Sequence, residues 1–220
     1  MIFQTPSEIE QASMQIITSE LNEKGILLPC DEAPVILRVI HATADFDYVN
    51  TLRFTPDALS FAVQALRNKP TIVTDTNMEL AGISQNGLST LDGRKICFMA
   101  DPLVAKNAKD RGITRACASI EKAAALFPGC IFAVGNAPTA LFEIVRQMEQ
   151  GFRPALVVAV PVGFVNVTEA KETILKECTK RNVPCIAAIG RKGGSTVAAA
   201  VVNALIYQAA EMTDPGKRGW

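Results

Sequence analysis

The sequence predicts an α/β fold, a mostly parallel sheet with helices on both faces in a single domain, and three observations predict it. Short apolar runs recur along the chain: Thr71 to Thr74, Lys95 to Ala100, Cys130 to Val134, Ala155 to Val160 and Cys185 to Ile189. Most of them run into a polar or Gly/Pro-bearing loop and then a segment of helical period, the alternation of strands joined by helical crossovers. The chain is 220 residues long and 49% hydrophobic, enough to bury both faces of such a sheet.

The elements follow in order. Thr5-Pro6-Ser7-Glu8 has a capping threonine, proline at the first helical position and Glu three residues on, so a helix starts there. Ile9, Ala12, Ile16, Ile17 and Leu21 then keep a 3.6 period to a stop at Gly25, which predicts one buried stripe with Ser13 at its margin. Asp31 to Ala44 reads either as a buried strand or as a helix. The helix is preferred, with Asp31 as its cap and Pro34 in its first turn, and it places Arg38 and His41 on one face. Thr55-Pro56-Asp57 opens a helix to about Arg67, Asn86-Gly87 and Asp92-Gly93 are turn signals, and a helix follows Asp101-Pro102. Thr114 to Leu126 is helical until Pro128-Gly129; further helices run from Pro138 to Gln150, from about Thr168, and from the Gly190 loop to about Ala210. Asp214 to Trp220 is expected to fray.

Composition excludes several functions. With 22 Lys+Arg against 22 Asp+Glu, there is no net positive field to hold nucleic acid or an anionic membrane. The longest apolar stretch, Ala155 to Val165, has 11 residues and contains Pro161 and Gly163, whereas a spanning helix needs about 20. No Lys or Arg precedes Lys24, so no export or transit signal is read and a cytoplasmic protein is expected. The six cysteines form no C-x-x-C pair and read as reduced core residues.

In open parallel sheets ligands bind outside the carboxyl ends of the strands. Three loops there are rich in Gly and Pro: Gly135-Asn136-Ala137-Pro138-Thr139, Pro161-Val162-Gly163-Phe164 and Gly190 to Thr196. Their backbone N–H groups are candidates to hold an anion, which singles out Gly135, Asn136, Gly163, Gly193 and Gly194. Tight turns need such residues in any case. The Gly190 loop matches neither G-x-x-x-x-G-K-[ST] nor G-x-G-x-x-G, so it carries no nucleotide fingerprint. It does carry Arg191 and Lys192, and Arg115 opens the Thr114 helix; each is a candidate anion contact or an ordinary surface charge. His41 is the only histidine, hence the one group whose ordinary pKa allows proton exchange near neutrality. It reads either as that group or as a hydrogen-bonded core residue. A lone histidine and dispersed cysteines offer no transition-metal site.

Arg38-Val39-Ile40-His41-Ala42, the run Gly135-Asn136-Ala137-Pro138-Thr139-Ala140-Leu141-Phe142, Pro161-Val162-Gly163-Phe164 and Gly190-Arg191-Lys192-Gly193-Gly194-Ser195 together resemble the precorrin-8X methylmutase family, also called cobalt-precorrin-8 methylmutase. The likeness runs from the first helix to the last. It implies one methylmutase-like domain over residues 1–220, an isomerase of cobalamin biosynthesis that shifts a methyl group from C-11 to C-12 of a corrinoid, and a homodimer that holds its product tightly. It further implies that His41 is the acid/base residue, that Ser13 and Arg38 contact substrate, and that Arg115 lies near the ring's carboxylates. No metal, cofactor or second substrate is implied. An imidazolium is expected at His41, near a helix C-terminus and close to substrate carboxylates. A corrinoid carrier without turnover is the alternative.

Overall fold

The computed structural model describes residues 5–218. Helix α1 (Pro6–Glu23) starts with the expected capping box: Thr5 Oγ1 accepts from the Glu8 N–H, and Glu8 Oε2 from the Thr5 N–H at 2.9 Å. After it come α2 (Ala33–Thr43), α3 (Tyr48–Thr51), β1 (Leu52–Phe54), α4 (Ala58–Leu66), β2 (Thr71–Thr74), α5 (Asn77–Gly82) and α6 (Gln85–Thr90). Next are β3 (Arg94–Cys97), α7 (Pro102–Arg111), α8 (Arg115–Leu126), β4 (Ile131–Val134) and α9 (Pro138–Glu149). The last elements are β5 (Leu156–Ala159), α10 (Val167–Arg181), β6 (Cys185–Ala188), α11 (Ser195–Ala209) and a 3-10 turn, Pro215–Arg218.

One sheet runs β1-β6-β5-β4-β2-β3. Its strands are parallel except β1, which pairs antiparallel to β6 with Leu52 opposite Ala188. The parallel strands are doubly wound, and the winding direction reverses between β2 and β4, the place where such sheets open a crevice for ligands. Alternate residues of the central strands feed two cores. Ile131, Ala133, Leu156, Val158 and Ile186 join α2, α4 and α11 on one face, and Phe132, Val134, Val157, Ala159 and Cys185 join α8, α9 and α10 on the other. Both faces are therefore dry, which is why these strands are uninterrupted apolar runs. Helix α11 is small-residue-rich because α2, α4 and α5 all pack on it; a Cβ on Gly82 of α5 would lie 2.9 Å from Ala199 Cβ.

Several expectations differ from the structure. The α1 stripe is narrower: Ile17 and Leu21 are buried, but Ile9 and Ile16 are exposed and Glu10 is buried in their stead. Asp31 does not cap α2; Glu32 holds that position without a side-chain bond. Asn86-Gly87 lies inside α6, where Ser84 Oγ caps the Gly87 N–H and a Gly87 Cβ would come within 2.6 Å of Ile206. The tail is held as far as Arg218, which is buried: its guanidinium donates to the Met212 and Thr213 carbonyls at 2.9 and 2.8 Å and pairs with Glu10. Among the described residues no helix is long and apolar enough to cross a membrane.

Candidate functional site

Helix α2 exposes His41 one turn beyond Arg38. Arg38 Nη2 donates to Glu10 Oε1 at 2.6 Å and its guanidinium lies 5.5 Å from the Tyr207 ring centroid. Arg218 pairs with the same Glu10 carboxylate and stacks on the same ring at 4.0 Å. Two guanidiniums thus share one carboxylate beside a cavity of about 470 Å³ with apolar walls from Met14, Leu37 and Tyr207. Burial works against Glu10's ionised form, but the two guanidiniums win and its pKa falls. Ser13 Oγ donates to the Ile9 carbonyl at 2.9 Å, back along α1. Without substrate, loss of hydration, then the Arg38 charge, with a smaller push from Arg218, lowers the His41 pKa against the opposing pull of Glu10. Burial first and the two cations next thus favour the neutral imidazole in the free protein.

Helix α2 ends at Ala44 in the left-handed region. Just past it, Asp45 and Asp47 accept from Lys192 Nζ at 2.7 and 3.2 Å, which fastens the Gly190 loop to the His41 end of the helix. The same loop is gripped from behind by Lys171, fully buried on α10, whose Nζ donates to the Gly190 and Lys192 carbonyls at 2.9 and 2.7 Å. Burial lowers the Lys171 pKa to about 8. The Gly194 N–H donates to Val160 O at 2.8 Å and the Gly163 N–H to Arg191 O at 3.2 Å, so the Pro161 and Gly190 loops are sewn together. Arg191 lies 5.3 Å from the exposed Phe164 ring.

At the reversal point, the buried Asp75 carboxylate accepts from the Gly135, Asn136 and Ala137 N–H groups at 2.9, 2.9 and 2.6 Å. A Cβ on Gly135 would lie 2.8 Å from Ser195 Cα, and Thr76 Oγ1 and Ser195 Oγ share a 2.8 Å bond. The expectation that these loops offer free backbone donors is therefore corrected: the N–H groups of Gly135, Asn136, Gly163 and Gly194 already donate within the protein. Gly135 serves close packing. What faces solvent is the exposed Asn136 side chain, Arg191, and Arg115, which lines an open crevice of about 590 Å³ with Asn77, Met99, Ala100, Ala137 and Thr139.

The carboxyl edge thus joins His41, the Gly190 loop and the Asp75–Gly135 junction in one contiguous row, with Arg115 at the β2–β3 side. No single cavity among those described encloses both His41 and Arg115. A larger groove of about 660 Å³ lies at the opposite edge, around Phe61, Pro128 and Asn182; Lys69 is its one charged wall residue, which suits no polyanion. Sequence reasoning missed Glu10, Asp75, Lys171, Tyr207 and Arg218. Two of these carry a signal: Glu10 falls on the stripe of Ile17 and Leu21, and Lys171 on that of Val167, Ile174 and Cys178.

Comparison with known proteins gives the chain a family. Residues 8–208 match the family model described as precorrin-8X methylmutase. The cobalt-precorrin-8 methylmutase of Salmonella typhimurium is 44% identical over 94% of this chain and 98% of its own length. The precorrin-8X methylmutase of Pseudomonas aeruginosa is 37% identical over 90% and 93%. The crystal structure of a precorrin-8X methyl mutase from Thermus thermophilus superposes with a TM-score of 0.82 at 38% identity, covering 92% of this chain and 98% of that one.

Proposed function

Taking as premise that the chain belongs to the precorrin-8X methylmutase family, we propose that His41 exchanges a proton with a corrinoid ring while a methyl group moves from C-11 to C-12. The family makes the chain an isomerase, a methylmutase acting on precorrin-8X or cobalt-precorrin-8 in cobalamin biosynthesis. The observation that carries the reading is the family match over residues 8–208, which includes every candidate site residue. A shift within one molecule leaves the atoms of the substrate unchanged in number, so the protein's tasks are to hold the macrocycle and to supply a proton where charge develops. His41 is exposed, and among the described residues no hydrogen-bond partner holds its proton elsewhere on the protein. The ring's carboxylates meet Arg38, Arg115 and Arg191, with Ser13 and Asn136 as polar contacts and Gly163, Gly193 and Gly194 shaping the loops. Incubation with the methylated precursor, followed by visible spectra and product analysis, tests the reading: a rearranged product supports it, and a spectral change that stops at binding indicates a carrier.

Arg38→Ala is expected to weaken substrate binding roughly 10- to 100-fold, the loss of a charge-assisted bond worth about 1.5–3 kcal/mol. The fold survives because Glu10 keeps Arg218 as its partner. Unchanged affinity in a folded variant, measured by titration, removes Arg38 from the site.

The protein is expected to act as a homodimer. Ile9, Ile16 and Leu27 lie exposed on and just after α1, and Phe164 and Val165 beside Gly163; a macrocycle is also wide for one crevice, so a second copy is a suitable wall. Light scattering at micromolar concentration should give twice the 23.6 kDa chain mass. An active monomer would refute it.

A further inference from the structure

Glu79 has no task in the chemistry above, yet its side chain is fully buried. Its sequence context, Thr76 followed three residues later by Glu79, is the spacing of a capping box. Half of that box forms: Thr76 Oγ1 accepts from the Glu79 N–H at 3.0 Å. The other half does not, because the Glu79 side chain turns inward, where neither carboxyl oxygen is reached by a donor. The group it meets is the Asp75 carboxylate, with Cys97 of β3 as the other titratable neighbour.

Two carboxylates cannot both stay ionised in a buried site. Asp75 has three backbone donors and sits at the N-terminus of α9, both of which favour its anion. Glu79 has neither. Burial and the Asp75 charge both push the Glu79 pKa well up, whereas the lift that burial gives Asp75 is opposed by those three N–H groups. The proton therefore resides on Glu79, and the one acceptor it faces is Asp75.

Resting on the methylmutase reading, we propose that Glu79 is a positioning residue of the reaction: as a neutral acid it donates to Asp75 and holds that carboxylate where it clamps the Gly135 loop. The consequence passes to the substrate crevice by short steps. Asp75 sets the Asn136 and Ala137 backbone, Ala137 lines the crevice that Arg115 faces, and Thr76 ties the same corner to Ser195 at the start of α11. Without the proton donor, Asp75 keeps its charge but loses one fixed side, and the loop behind Arg115 loosens. Binding suffers first, since His41 stands elsewhere on the edge.

Two substitutions separate this from mere filling of space. Glu79→Gln keeps size, neutrality and a donor toward Asp75; Glu79→Met keeps the volume and removes the donor. We expect Glu79→Met to raise KM, and the dissociation constant of the rearranged corrin product, about tenfold with kcat within about twofold, and Glu79→Gln to restore both. Infrared difference spectra in D₂O at neutral pH, wild type against Glu79→Gln, should show the C=O stretch of a protonated carboxyl group. Ionised-carboxylate bands in its place overturn the proposal, whatever the fate of the Met variant. So does a folded Glu79→Met protein with unchanged KM and product affinity, or a Gln variant as impaired as Met. A wild type that makes no rearranged product instead overturns the methylmutase reading, and the infrared result still decides where the proton lies.

Discussion

His41→Asn is expected to bind the corrinoid almost as wild type does and to turn it over about 10²–10⁴ times more slowly, a loss of roughly 3–5 kcal/mol of transition-state stabilisation. Asparagine keeps a donor of similar reach but cannot carry a proton. Because proton transfer is made only as the methyl group migrates, the loss belongs in kcat and hardly in affinity. The pH dependence has a definite sign. Partial dehydration and Arg38 lower the His41 pKa in the free protein below its ordinary 6.5, so if the imidazolium is the active form, kcat/KM should fall with rising pH through a midpoint below that value. Substrate carboxylates placed beside Arg38 offset its charge and favour the imidazolium, so the fall in kcat should come at higher pH than the fall in kcat/KM. Stopped-flow rates across pH check both statements. A folded His41→Asn protein that turns over within about tenfold of wild type removes His41 from the chemistry.

Gly193→Ala is the substitution of largest expected cost to the fold. A Cβ at this position would stand 2.1 Å from Val160 O and 2.8 Å from Pro161 O. Both are backbone atoms and cannot turn aside, and Val160 O is also the acceptor that holds the Gly194 N–H. We expect about 3 kcal/mol of lost stability, which for a chain of this size lowers Tm by about 6–12 °C. Gly112→Ala is the control: at φ +64 with nothing within 4 Å of its Cβ, it meets backbone strain alone, about 1–2 kcal/mol. Equal melting temperatures for the two variants, by circular dichroism, would show that the approach to Val160 carries no weight.

The alternation of strands and helices was legible because β4, β5 and β6 are buried at every position, and dry strands must be apolar without interruption. Strand β1 was not legible. It is three residues long with Arg53 exposed, and an edge strand bonded on one side imposes too little pattern to read. Helices α5 and α6 are six residues each, under two turns, and Gly87 looks like a turn residue until its crowding against Ile206 is seen. The site was legible as a set of loops and as His41, but not in the state of their hydrogen bonds. Whether the Gly135 N–H is free depends on Asp75, 60 positions earlier, and the sheet, not the local sequence, brings them together. Glu10 and Lys171 were masked by their chemistry: on an apolar stripe a charged residue reads as a break in the period until its partners are known.

The antiparallel pairing of β1 with β6 also governs when the protein becomes competent during synthesis. The corner that joins these strands, Thr55 Oγ1 accepting from the Cys185 N–H, spans 130 positions, and α2 packs chiefly on α11, later still. The helix that carries His41 leaves the ribosome well before the helix it packs on. Until α11 has emerged, Val35, Ile36, Val39 and Ile40, all buried in the finished protein, lack the helix that chiefly covers them. A nascent chain of this topology therefore carries that apolar face in the open between the synthesis of α2 and that of α11, and its folding yield depends on how fast the intervening stretch is made.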